Sequence, residues 1–194
     1  MSTFGVQRKK PDEYRHGDLR RALIIAARRM IEERGVEAVS LRELARAANV
    51  SHNAPYRHFS DRASLLAAVA EAGFAEFADT LRMVDTTLPA GKRLTEMGVA
   101  YVIFAVANPQ TFRLMFGAPR DREAQSDDER LSFTLLAEQV AQTVEVERAT
   151  TYVTASWAIV HGLAHLLLDK TIPHPPGGKK GLAAFVRDVI ASRS

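Results

Sequence analysis

The chain has 194 residues, 46% hydrophobic and 25% charged, with 26 Lys and Arg against 23 Asp and Glu and a net charge of +3. That length can bury a core in one or two domains, and the absence of cysteine excludes disulfides and thiolate metal sites. No secretory leader pattern and no apolar run of membrane-spanning length is read, so a soluble, cytoplasmic protein without membrane contact is expected.

The charge is uneven. Residues 1–62 carry 13 basic against 8 acidic side chains, a balance of +5, and the remainder 13 against 15, a balance of −2. A phosphate-binding head on a near-neutral body has this distribution. Residues 1–14 lack periodicity and hold Arg8, Lys9 and Lys10; they read as a basic mobile arm, with access to a minor groove as the alternative. Leu19, Ala22, Leu23, Ala26, Ala27, Met30 and Ile31 then recur at three-four spacing and predict an amphipathic helix. Gly17-Asp18 is expected to open it with an acidic cap, and Gly35 to close it as a left-handed stop.

Residues 40–62, SLRELARAANVSHNAPYRHFSDR, read as a helix-turn-helix. Ser40 and Glu43 form a capping-box pair, and Leu41, Leu44, Ala45 and Ala48 make one apolar face. Asn49 suits the turn because Asn tolerates left-handed backbone. Ser51 is placed to cap a second helix. On that helix His52, Asn53, Tyr56 and Arg57 share one arc, and Ala54, Pro55, His58 and Phe59 the other. Asn pairs with adenine and Arg with guanine through two bonds each, so Asn53 and Arg57 are candidate base readers. Pro55 lacks an N–H and predicts a short or distorted helix. The plainer alternative is a polar loop between helices.

The run Val50, Ser51, Tyr56, Arg57, His58, Phe59, Arg62, Leu65, Leu66 resembles the TetR family of bacterial transcriptional regulators, and the resemblance spans residues 15–70. It implies homodimers that bind double-stranded operator DNA, most often repressors released by a small-molecule effector; a constitutive or activating DNA binder without an effector is the alternative. It also implies phosphate contacts at Ser40, Arg42, Tyr56, His58 and Arg62, with His52 and Asn53 facing the bases. Packing at the helix end is the plainer role for His58.

Beyond Ser60 every segment reads as helical: a long helix from Ser60-Asp61 to about Val84, one from Pro89 to Asn108-Pro109, and a short one through Met115-Phe116. A charged, proline-broken loop over 117–130 follows, then helices near 130–146 and 148–170. The PHPPGG segment at 173–178 breaks the pattern before a last helix over about 180–192. The whole is expected to be all-α, with a helix-turn-helix domain over 15–62 and an effector-binding and dimerisation bundle over 63–194. VAYVIFAVA at 99–107 is apolar all round and fits the centre of that bundle.

Met97, Tyr101, Phe104, Phe112, Met115, Phe116, Trp157 and His161 are candidate lining for an effector pocket, whose aromatic and thioether groups suit an apolar or aromatic ligand as well as they suit a core. Val160, Leu163, Leu166 and Leu167, with Leu182, Phe185, Val186, Val189 and Ile190, make two apolar stripes; they form either a four-helix bundle between subunits or packing within one. Trp157, His161 and Gly162 resemble the WHG type of TetR C-terminal domain, where a core role for the first two competes with ligand contact. His161 and His165 lie four residues apart, within reach of one metal, but Asp169 fits that face poorly and no further ligand is visible. No cofactor is implied. No nucleophile–base set, phosphate loop or HExxH motif supports an enzyme.

Overall fold

The computed structural model describes residues 16–117 and 127–192, the first three by their backbone alone. The described residues are helical with no strand, and the chain divides into two compact units, residues 1–69 and 70–194. The division falls inside the third long helix, seven residues beyond the start expected for the body. The basic arm of residues 1–14 and most of the loop after Gly117 lie outside the described residues, as does the side chain of Asp18.

In the first unit, α1 (His16–Arg34) and α2 (Leu41–Ala47) pack around Leu23, Ala27, Ile31, Leu41 and Leu44, with Phe59 and Leu65 closing the core. Gly35 ends α1 at φ 81° as expected for a glycine, but its ψ of 166° is extended rather than left-handed helical. The chain leaves α1 straight into a turn at Val36–Ala38. Ser40 caps α2, its hydroxyl accepting the Glu43 N–H at 3.1 Å. The other half of the capping box does not form, because the Glu43 carboxylate accepts a 2.8 Å bond from Arg46 instead.

Asn49 takes φ 53°, and the Val50 and Asn49 N–H groups bond the carbonyls of Ala45 and Arg46. This left-handed cap turns the chain sharply toward the next segment. That segment departs from expectation. Residues 51–59 form a succession of turns with a 3₁₀ stretch at Pro55–Arg57 in place of an α-helix, and no Ser51 side-chain cap is made. Pro55 has no N–H to give to Ser51, so the winding tightens into i→i+3 bonds. α3 (Arg62–Arg82) then starts directly after the Ser60-Asp61 pair read as its cap, and of the two it is Asp61 that makes the cap. Asp61 accepts the Ser64 N–H at 2.7 Å and Ser64 Oγ accepts the Asp61 N–H at 3.2 Å, a reciprocal pair that also holds the Asp61 pKa down.

The second unit takes the rest of α3 together with α4 (Ala90–Ala107), α5 (Pro109–Phe116), α6 (Asp127–Ala141), α7 (Val146–Leu168) and α8 (Gly178–Ala191). α4 is the central helix, packed against α7, α8, α6 and α5, as its all-round apolarity requires. It stops at Asn108 because the following proline disfavours helical backbone there. α7 ends at Lys170, which takes φ 56°, while Arg113 donates to the terminal Leu168 carbonyl and pairs with Asp169 at 2.6 Å. A cation at this end meets the negative pole of the helix.

α7 corrects one reading: among the described residues it alone is long and apolar enough to cross a membrane by length and composition. Here Val153, Val160, Leu163, Ala164 and Leu167 pack into the bundle.

Candidate functional site

The turns at 51–59 present side chains in two sets. Ser51, His52, Asn53, Tyr56 and Arg57 are exposed, and so is Arg42 on α2; Pro55 and Phe59 are buried, with Ala54 and His58 half-buried between. This is the division read for an α-helix. Over so few residues, 3.0 and 3.6 residues per turn separate inside from outside alike. Phe59 anchors the segment, and the Arg20 guanidinium lies over its ring at 5.5 Å. The His52 and Tyr56 rings stack at 5.8 Å, and His52 Nδ1 lies 3.4 Å from Asn53 Oδ1. The exposed face is therefore a continuous patch of donors and acceptors on an apolar floor.

Arg62 sits differently from the other candidates. Its Nε donates to the Val39 carbonyl at 2.9 Å and its Nη2 to the Val36 carbonyl at 2.8 Å, with Glu37 Oε2 at 3.4 Å. The guanidinium ties the start of α3 to the turn between α1 and α2. Unlike Tyr56 and Arg57 it has backbone partners within the unit, while 41% of its side chain stays exposed. Ser40 likewise spends its oxygen on a cap, while its O–H can still donate.

The second unit holds a partly open cavity of about 1160 Å³ among α3, α4, α6 and α7. Of the candidate lining residues, Met97, Tyr101, Phe116 and Trp157 reach it. Phe104, Phe112 and Met115 do not; they are core residues behind the wall. Phe74 and Phe77, which also line it, were missed because their α3 pattern reads as ordinary core.

His161 stands behind Tyr101, its Nδ1 2.7 Å from the phenol oxygen, and Trp157 Nε1 donates to that oxygen at 3.4 Å. Burial first, then the neighbouring His165, lowers the His161 pKa, and burial raises that of Tyr101. The direction of that bond follows the imidazole tautomer: with the ring hydrogen on Nε2, the hydroxyl donates to Nδ1. No group of three or more metal-binding side chains occurs among the described residues, and Asp169, the third member considered with His161 and His165, is held by Arg113.

The stripes offered for dimerisation mostly turn inward. Val160, Leu163, Leu167, Leu182 and Val186 are buried in the core of this one unit, with Phe185, Val189 and Ile190 packed against it. α4 lies between α7 and α8 and takes both apolar faces, a pairing that periodicity within each helix does not reveal. Leu166 is the exception, 42% exposed. The side of α7 it shares with the exposed Ala158 and half-buried Gly162 is open, and a Cβ at Gly162 would meet nothing within 4 Å.

Residues 23–69 match the family described as "Bacterial regulatory proteins, tetR family", and residues 94–189 match "Tetracyclin repressor-like, C-terminal domain". The chain belongs to the TetR family. Its fold is accordingly that of a TetR-family DNA-binding transcription regulator, a helix-turn-helix unit followed by a helical C-terminal unit. A protein of unknown function from Rhodococcus sp. RHA1 is 30% identical with a TM-score of 0.76, covering 93% of this chain and 98% of its own. A TetR-family transcriptional regulator from Pectobacterium atrosepticum shares the fold at 20% identity, TM-score 0.69 and 95% coverage of both chains. Another, from Haemophilus influenzae RD, shares it at 18% identity and TM-score 0.62, covering 89% of this chain and 96% of that one. No curated protein matches the chain.

Proposed function

We propose that this TetR-family protein is a homodimeric repressor that releases its operator when a small molecule enters the cavity of the second unit. The observation that carries the DNA half is the exposed set Arg42, Ser51, His52, Asn53, Tyr56 and Arg57 on a segment whose other side is buried. His52, Asn53 and Arg57 are assigned to base edges, and Arg42, Tyr56, His58 and the Ser40 hydroxyl to phosphates. Arg62 is assigned a positioning role. The cavity supports the effector half over a constitutive binder, since a body serving only to dimerise needs no space inside it. An effector that binds the non-DNA geometry better lowers operator affinity by linkage, with α3, common to both units, as the element it shifts.

The test is binding to a labelled duplex from the DNA flanking the gene, over a salt series and with unrelated competitor present. Wild type is expected to bind tightly, with salt sensitivity and resistance to competitor; Arg57→Ala is expected to lose about 1–3 kcal/mol and sequence discrimination together. Arg42→Ala is expected to weaken binding to all sequences alike and to flatten the salt slope by about 1. No binding to any duplex at low salt would overturn the regulator reading.

A further inference from the structure

Phe74, Phe77, Met97 and Phe116 give the cavity wall rings and a thioether, and hydroxyls from Thr95, Ser132, Thr151 and Ser156 are among its polar groups; at one point Tyr101 and Trp157 meet through a hydrogen bond. The charges on the wall, Glu129 and Arg130, are of opposite sign and adjacent on the first turn of α6. An ionised ligand group seated against this wall would give up water without an unopposed countercharge to replace it. Three of the lining rings are open to solvent: Phe133 is 50% exposed, and Tyr152 and Trp157 37% each. Phe133 of α6 and Trp157 of α7 meet edge to face at 6.2 Å, and the His161 ring lies 5.3 Å from the indole, so a flat molecule would stack on the exposed part of this aromatic group.

The polar junction has a direction. Trp157 N–H can only donate, and its bond to the Tyr101 oxygen is long at 3.4 Å; with His161 as the Nε2–H tautomer, the Tyr101 hydroxyl gives its own hydrogen to Nδ1 at 2.7 Å. A hydroxyl oxygen ~2.9 Å from both Trp157 Nε1 and Tyr101 Oη completes a triangle on that 3.4 Å base. It accepts from the indole and donates to the phenol oxygen, so the donor chain runs Trp157, ligand, Tyr101, His161 with every hydrogen placed. A carbonyl would use only the first link. From the geometry we infer that this cavity takes a flat, uncharged ring system bearing a hydroxyl, held by Trp157 and Tyr101. The inference rests on the effector reading only for its consequence at DNA.

Full-length protein in equilibrium dialysis against naphthalene, 2-naphthol, 2-naphthoate and decanoate separates the classes. Because Trp157 is the chain's single tryptophan, the one indole N–H resonance of ¹⁵N-labelled protein reads the contact directly. 2-Naphthol is expected to bind about tenfold tighter than naphthalene and to move that resonance, with both acids weaker. Tyr101→Phe is expected to bring naphthol and naphthalene within about twofold of each other, and the more exposed Trp157→Phe to do the same should the first variant fold poorly.

Equal binding of naphthalene and naphthol, equal or tighter binding of either acid, a naphthol preference that survives both substitutions, or no binding of any probe would overturn the inference. Naphthol binding as described without operator release would overturn the effector reading and leave the cavity's chemistry standing. Operator release by a carboxylate would do the reverse.

Discussion

Arg62 and His161 carry the same lesson from opposite ends of the chain: each has a role set by groups remote in sequence. The Arg62 carbonyl partners lie 23 and 26 residues upstream. Its place in the family-like run implies phosphate contact, and nothing in the local sequence marks it as a clasp. Arg62→Ala removes both bonds, leaving Val36 O with the Val39 N–H and Val39 O without the Arg62 donor, and is expected to lower stability by about 1–2 kcal/mol, read as a falling Tm for the first unit. Arg62→Lys should recover only part of this, since an ammonium does not reproduce the fork that spans both carbonyls. His161 affects stability through pH. Its pKa lies below the ordinary 6.5, from burial and from His165. The unfolded chain therefore binds more protons on acidification, and stability is complete above 6.5 and declines as pH falls toward the folded-state value. Thermal melts from pH 7.5 to 5 are expected to slope downward with acid, and less steeply in His161→Gln.

At the scale of elements, period and punctuation were legible and the pitch of one segment was not. The apolar stripe of α1, the caps at Ser40 and Asn49 and the stop at Asn108-Pro109 were readable because each acts within one or two turns. Pro55 gave warning of a distorted reading segment, but not that 51–58 would turn mainly by i→i+3 bonds, with a single i→i+4 bond from Phe59 to Pro55. The end of α7 was less legible still. Lys170 occupies a left-handed site, with the Thr171 N–H on Leu166 O and its own N–H on Leu167 O, where glycine is the usual residue. A lysine there bears a Cβ penalty that a glycine avoids. Lys170→Gly is expected to raise stability by up to about 1 kcal/mol, checked by chemical denaturation at an unchanged m-value.

At the scale of the whole molecule, the question is what covers the open side of α7. The apolar stripes of α7 and α8 were visible in the sequence, but which neighbour each faced was not, because a helix has several sides and α4 takes the inward ones. Among the outward residues of α7, Ala158, Gly162 and Leu166 recur one turn apart. A glycine inside a 23-residue helix costs about 1 kcal/mol against alanine, and at Gly162 the chain's own fold gives no steric reason for it. Close approach of a second copy supplies one, and a two-fold dimer is what a palindromic operator requires. Gly162→Leu and Leu166→Glu are thus expected to shift sedimentation toward the 21.4 kDa monomer. Gly162→Ala, adding a single methyl group, should do so less. Each variant should lose operator affinity in step with its loss of dimer, with the DNA-facing residues untouched. A Gly162→Leu protein that stays dimeric and binds operator normally would place the interface elsewhere.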